Sequence, residues 1–415
     1  VEFVPDFWGY ELLLNRYAVK LLKEEASRLL ELIGKALPKK LGLLVKAYIY
    51  SRKWWVERID QGTGIRFSSP WLMPGALVPT VWDDGEGHHP EPENPGDTYL
   101  WWSVWEEGRG WSKDIRFPSH HSMAAPALLA NQDRFLCVHR GGHKDASLYL
   151  TVFKDGKWAT GEKLPDAMCT DSGPALAWHP QHGLFVAYYK PYQPNTFKPH
   201  GLMWSRRSGD GLSGTWDEPA RITTNVLQVE ARPALCFDGD RLLCVFKEGA
   251  KMFGRNSLFW AEMDLTKRPW TWSNYQPMGK ASESAPSLTK DQNGNILCAW
   301  TDNGRVRLAV RKKGTYDWQP LPDPSDVTSN DSPILAHVPR PGHVSTLCMT
   351  HSGANDMALS TATGEDLTQA LPWKAPEKLP AHSSAVAPAV IYGDYQLENG
   401  ERKLQAVCVH RGHAG

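Results

Sequence analysis

The chain has 415 residues, with 46 Lys and Arg against 46 Asp and Glu, a formal net charge of zero. That balance excludes the global basic field of a nucleic-acid-binding surface, and no run approaches the roughly 18 apolar residues of a spanning helix. Gly 35, Pro 31 and Trp 19 describe a turn-rich, aromatic-rich chain of many short strands.

Val1 to Gly9 shows no basic region followed by an apolar core, so no signal peptide is read there. Glu11 to Leu37 reads as an amphipathic helix. Leu14, Tyr17, Ala18, Leu21, Leu22, Leu29, Leu32, Ile33 and Ala36 recur mostly at three- and four-residue steps. Glu24 with Arg28 and Glu31 with Lys35 add i,i+4 support, and Pro38 ends the run. Leu41 to Ile59 reads as a second helix. Between Glu11 and Arg58, 11 Lys and Arg stand against 5 Glu, a local charge of +6. Residues 1–60 are therefore expected to form a helical region. It is either a cap packed on the main domain or an arm, residues 11–59, that meets a membrane surface or a partner protein. Residues 61–95 are expected to be an irregular apolar and acidic connector, with the Pro-broken stretch Pro70 to Trp82 followed by the loop Glu86 to Pro95.

The remaining chain repeats. A Pro followed by a short apolar pair recurs at Pro126, Pro174, Pro233, Pro286, Pro333 and Pro388, with spacings of 48, 59, 53, 47 and 55 residues. After each comes a polar turn and an apolar strand: FLCVH at 135–139, LFVAYY at 184–189, LLCVF at 242–246, ILCAW at 296–300, TLCMT at 346–350 and AVCVH at 406–410. Five of the seven Cys, at 137, 244, 298, 348 and 408, share one slot in that strand. This pattern describes buried free thiols in a period-two core rather than a disulfide or metal framework. Each repeat then closes with a hairpin ending in Trp. The last repeat lacks its hairpin, and an unassigned one, TYLWWSVWEEGRGW at 98–111, stands upstream of the first. The expected fold is all-β: a six-bladed β-propeller over residues 96–415, closed by strands from both ends of that domain, with an α-helical N-terminal extension.

The hairpin Ser208 to Trp216 keeps a Ser-x-Asp-x-x-x-x-Thr-Trp spacing similar to the Asp-box of the sialidase-type propeller superfamily, and Met123 to Leu129 resembles that family's opening motif. The resemblance implies a structural turn at 208–216 and a sugar-processing fold. At Ala124, however, the family places a carboxylate-binding Arg, and the absence removes bidentate recognition of a substrate carboxylate.

Turns from all blades converge at the mouth of a propeller. Asp171, Glu230, Glu283 and Asp331 stand just before repeated prolines, and His120, His121 and His382 occupy similar positions in the remaining repeats. His139-Arg140 and His410-Arg411 end the second strands of the first and last repeats. Together these eleven residues form the candidate ligand-binding mouth. They suit a glycan or another polar ligand, and paired carboxylates would suit glycosidase chemistry. No cofactor, metal site or nucleic-acid partner is expected. The leading functional expectation is a non-enzymatic, lectin-like or protein-binding module, of a layout compatible with a secreted toxin. The alternatives are a divergent glycoside hydrolase and a structural or assembly protein. A soluble chain is expected, with its compartment left open.

Overall fold

The computed structural model describes residues 2–5, 9–14, 64–70, 78–82 and 98–412, apart from 132–133, 144, 155, 191–200, 210–211, 224–230, 249–256, 325–326, 330, 339–344, 354–355, 365, 385 and 397–401. The chain divides into two units, Val1–Gly96 and Asp97–His413.

In the first unit β1 (Glu2–Pro5), β2 (Gly9–Leu14), β3 (Gly64–Pro70) and β4 (Val78–Trp82) form one antiparallel sheet in that order. The helix expected from Glu11 thus begins inside β2, where Gly9 pairs with Pro70 and Leu14 with Ile65. The run Leu12-Leu13-Leu14 has no period of its own, and pairing with a strand far downstream decides its conformation. The rest of that helix, the expected helix at 41–59 and most of the proposed arm lie outside the described residues. No α-helix occurs among the described residues.

The second unit begins with β5 (Tyr99–Glu106), β6 (Gly110–Trp111) and β7 (Ile115–His121). Five sheets of consecutive strands follow. The first holds β8 (Ala127–Asn131), β9 (Arg134–Arg140), β10 (Leu148–Lys154), β11 (Lys157–Trp158) and β12 (Glu162–Lys163), and the second β13 (Ala175–His179), β14 (Gly183–Lys190), β15 (Gly201–Arg207) and β16 (Ala220–Arg221). The third holds β17 (Ala234–Asp238), β18 (Arg241–Glu248), β19 (Ser257–Asp264) and β20 (Gln276–Ala281), and the fourth β21 (Ser287–Lys290), β22 (Ile296–Asp302), β23 (Arg305–Arg311) and β24 (Trp318–Leu321). The fifth holds β25 (Ile334–Val338), β26 (Ser345–Gly353), β27 (Asp356–Gly364) and β28 (Glu377–Ser383). A composite sheet then joins β29 (Ala389–Gln396) and β30 (Arg402–Arg411) to β5, β6 and β7. The innermost strands touch in the cyclic order β8, β13, β17, β21, β25, β29 and back to β8. This is a β-propeller, in which ring closure leaves no open sheet edge between neighbours.

The α-helical extension expected from the sequence is therefore corrected. The extension is β-structure where it is described. The ring consists of five sheets each cut from one stretch of chain and a composite sheet shared between residues 99–121 and 389–411.

The core lies between sheets. Each hairpin's closing Trp packs into the apolar layer shared with the preceding sheet. Trp158 packs with Leu100, Phe117, Phe135, Phe153 and Val409. Trp216 packs with the layer of Leu150, Leu176 and Val186, Trp272 with that of Phe185, Phe237 and Phe246, and Trp318 with that of Val245, Ile296 and Cys298. Trp373 joins Leu308, Leu321 and Leu335, and Trp111 joins Val390, Ala406 and Cys408. Twisted neighbouring sheets diverge toward their outer strands, and a broad flat ring fills that wedge. In four of the sheets the second strand carries the repeated Cys: Cys137, Cys244, Cys298 and Cys408 are all fully buried free thiols. Burial pushes each of these thiols up, which makes them inert.

Candidate active site

β8 and β9 are antiparallel neighbours, so the start of β8 and the end of β9 share one edge. That edge collects the end of β7, the loop before Pro126 and the loop after Arg140. A feature not singled out from the sequence organises it. A Ser or Thr stands four residues before most of the repeated prolines: Ser122, Thr170, Ser282, Ser329 and Ser384, all buried. The hydroxyls of Ser122, Ser282, Ser329 and Ser384 each donate to the carbonyl two residues ahead, at 2.6–2.8 Å, while Thr170 donates to the Tyr189 carbonyl at 2.6 Å. Such local side-chain bonds hold a buried turn that cannot pair as a strand. The signal was present as a fixed offset from Pro.

At the first of these loops the side chains form a connected polar cluster. Arg140 is buried. Its Nε donates to the Thr170 carbonyl at 2.9 Å and its Nη1 to the carbonyls of Gly141 and His143. Its Nη2 lies 4.0 Å from the Asp171 carboxylate, whose side chain is 61% exposed. Asp145 also acts on this guanidinium electrostatically. Burial works to raise the Asp145 carboxyl, but the Tyr149 hydroxyl, which donates to it at 2.6 Å, and Ser147, whose N–H donates at 2.9 Å, outweigh burial and hold it below the usual range. The same bond raises the Tyr149 phenol, which stays protonated.

Two imidazoles lie behind this group. His139 Nδ1 donates to the Arg140 carbonyl at 2.9 Å, so its Nε2 carries the lone pair and accepts from His120 Nδ1 at 3.0 Å. The His139 ring stacks on Tyr149 at a 16° interplanar angle. Burial lowers both imidazoles, His139 to about 4. His121, hydrogen-bonded to Thr98 Oγ1 at 2.9 Å and close to the rings of Tyr99 and His143, completes the edge.

The other expected site residues are distributed. Asp331 accepts from the backbone N–H of Ser332 and Ala387 at 2.6 and 2.7 Å, and it faces Arg232, whose Nη1 donates to the Pro126 carbonyl at 3.3 Å. These bonds tie the innermost loops across the ring beside a small apolar cluster of Ala125, Ile334 and Ala387. Glu283 is exposed and accepts from the Gly304 N–H at 3.1 Å. His410 is buried and donates from Nε2 to Asp114 at 2.9 Å. The backbone carbonyl of Arg411 accepts from Ser384 at 3.1 Å. His382 lies in β28, its side chain outside the description, and Glu230 lies outside the described residues. Of the eleven residues, the structure thus brings together His120, His121, His139, Arg140 and Asp171. It adds Asp145 and Tyr149, which sequence reading missed because neither occupies a repeated slot. Among the described residues no group of three His, Cys, Asp or Glu is placed to hold a metal ion.

No family model and no curated protein matches the chain. Solved structures resemble it at low identity. An α-L-arabinanase from Penicillium chrysogenum, complexed with arabinobiose, is 14% identical, covering 68% of this chain and 92% of its own, with a TM-score of 0.47. A protein of unknown function from Dyadobacter fermentans is 14% identical over 69% of this chain and 94% of its own, at 0.46. A PL25 ulvan lyase is 10% identical over 73% and 84%, at 0.43. The sialidase-type kinship expected from the sequence finds no counterpart among these neighbours, none of which is named as a sialidase, a lectin or a toxin. Two of the three are named as enzymes, and the expected purely binding, non-enzymatic module is not carried further. No helix among the described residues is long and apolar enough to cross a membrane.

Proposed function

We propose that the chain is a carbohydrate-active enzyme, specifically a glycoside hydrolase working at the Arg140 edge of the propeller. One observation carries this reading: two carboxylates in unlike surroundings, Asp145 and Asp171, both act on one buried, backbone-pinned guanidinium. Glycosidic hydrolysis needs one carboxyl group that stays ionised and one that gives up a proton. Asp145, hydrogen-bonded by Tyr149 and Ser147, is the group held as an anion and suits the nucleophile, the base, or the stabiliser of an oxocarbenium-like charge. Asp171 is the exposed carboxyl that a sugar meets first. Tyr149 and Ser147 hold Asp145 in place, Arg140 acts electrostatically on both carboxylates, and the stacked His139 and Tyr149 rings supply a rigid wall. A glycan is accordingly the proposed ligand of this edge.

The test is a screen of aryl glycosides, arabinofuranosides and sialosides included, with Asp145→Asn and Asp171→Asn variants. On any substrate turned over, each change should lower kcat by about 100-fold or more. Turnover indifferent to both changes, or none on any member of the panel, overturns the assignment.

A further inference from the structure

On the opposite edge of the ring, between the third and fourth sheets, lies a cleft of about 270 Å³ lined by Arg241, Glu262, Asp264, Lys267, Thr271, Trp272, Ser273 and Tyr316, among others. Arg241 opens β18, Glu262 and Asp264 end β19, and Tyr316 sits in the turn after β23, so all belong to the edge away from Arg140. Tyr316 is 50% exposed and, with Ile115, is one of two exposed large hydrophobic side chains among the described residues. Its ring is fixed. It stacks on Trp260 at 19°, Arg241 donates to its hydroxyl, and the guanidinium carbons of Arg241 and Arg311 both lie 5.3 Å from its centroid. Arg311, only 1% exposed, anchors this stack to Glu262 at 2.7 Å.

The charges around the cleft are already matched. Arg241 pairs with Glu262 at 3.4 Å and Lys267 with Asp264 at 3.1 Å. A charged ligand would have to displace one of these pairs, whereas a neutral polyhydroxylated one needs only hydrogen-bond partners and an apolar face to lie on. Both are present: carboxylate and guanidinium groups around the rim, hydroxyls at Thr271 and Ser273, and the Tyr316 ring as platform. The volume, a little under the roughly 300–1,000 Å³ of pockets that enclose drug-sized ligands, suits a single sugar ring of a longer chain. We infer that this cleft is a second, non-catalytic saccharide site for neutral pyranose chains, held by stacking on Tyr316. It would let the protein grip a polymer at a point separate from the Arg140 edge.

The probes are cellohexaose and xylohexaose, whose equatorial hydroxyls leave the C–H faces free, with a galacturonate hexamer as the charged comparison. Binding is measured by calorimetric titration on the full chain. The wild type should bind a neutral hexaose saturably. Tyr316→Ala should weaken that binding roughly tenfold, and Tyr316→Phe, which keeps the ring, should stay close to wild type and serves as the folding control. Tyr316→Ala should leave turnover of a small aryl glycoside unchanged. Absence of saturable binding, affinity indifferent to Tyr316→Ala, or preference for the galacturonate chain overturns the inference. A chain that binds through Tyr316 yet turns over nothing keeps this site while ending the hydrolase reading, so the two failures are distinguishable.

Discussion

The buried imidazole of His139 has one nitrogen committed to the Arg140 carbonyl and the other to His120. Charging it would add a proton where His120 already donates, inside a site that excludes water. Its titration point therefore falls to about 4 from an ordinary value of 6.5. The linkage has a definite sign. Above about pH 6.5 the imidazole is neutral in folded and unfolded chains alike, and its contribution to stability is complete. As the pH falls from there toward 4, the unfolded chain takes up a proton that the folded chain refuses, and stability drops. The loss from this group is on the order of 3 kcal/mol by pH 4. His120, lowered by burial as well, adds in the same direction. Urea unfolding at pH 7.5, 6 and 5 should show this decline, and His139→Gln should flatten it. A wild type and variant with the same slope would show that His139 is protonated in the fold.

Trp wedges fill the layers between the sheets, beside polar links such as Arg207 to Glu162 and Arg311 to Glu262, which makes the inter-sheet layer the unit of stability. Trp318 packs against Val245, Ile296 and Cys298, and its buried indole N–H has no acceptor. Trp318→Ala should therefore cost about 3 kcal/mol, the low end of the range for a core ring, because Trp318 is half-buried. Trp318→Phe should cost much less, because the deleted N–H is an unsatisfied group whose removal offsets part of the lost area. Equal losses in denaturant unfolding for the two variants would show that the N–H is satisfied and that the wedge is not chiefly apolar. These elements were legible in the sequence because each slot repeats: the Pro, the buried Cys and the closing Trp recur in register, and each recurrence corroborates the others. The first unit had no such repetition. Leu12-Leu13-Leu14 satisfies a strand or a helix locally, and only the partner strand at Ile65 to Pro70 decides. The site was half legible for the same reason. Arg140 and Asp171 stand in repeated slots, but Asp145 and Tyr149 do not, and Glu283 and Asp331, before two of the other prolines, accept from backbone N–H groups instead.

At the scale of the whole ring, closure depends on one strand pair drawn from the two ends of the second unit. In it β30 runs antiparallel to β5, with Gln405 opposite Glu106, Cys408 opposite Ser103 and Arg411 opposite Leu100. Directly opposed residues on antiparallel strands point to the same face with their Cβ atoms about 4.5–5.5 Å apart. Ser103 and Cys408 are both fully buried. A Ser103→Cys substitution thus places a second thiol against a native one, with the roughly 4.5–5.5 Å Cα separation of opposed antiparallel residues inside the range of about 4.4–6.8 Å that a disulfide spans. Oxidation would cross-link the first strand of the ring to the last. The bridge would enclose nearly the whole unit, the circumstance in which a cross-link restricts the unfolded chain most. The gain should be up to about 4–5 kcal/mol, less any strain in the folded pair. The oxidised variant should migrate faster than the reduced one on a non-reducing gel, lose the reactivity of both thiols after unfolding, and melt at a higher temperature. Ser103→Ala, which offers no thiol, should do none of these. If the introduced thiol stays reduced under mild oxidant, or if it pairs with a cysteine other than Cys408, the two ends do not share a sheet in this register. The propeller would then have to close somewhere else.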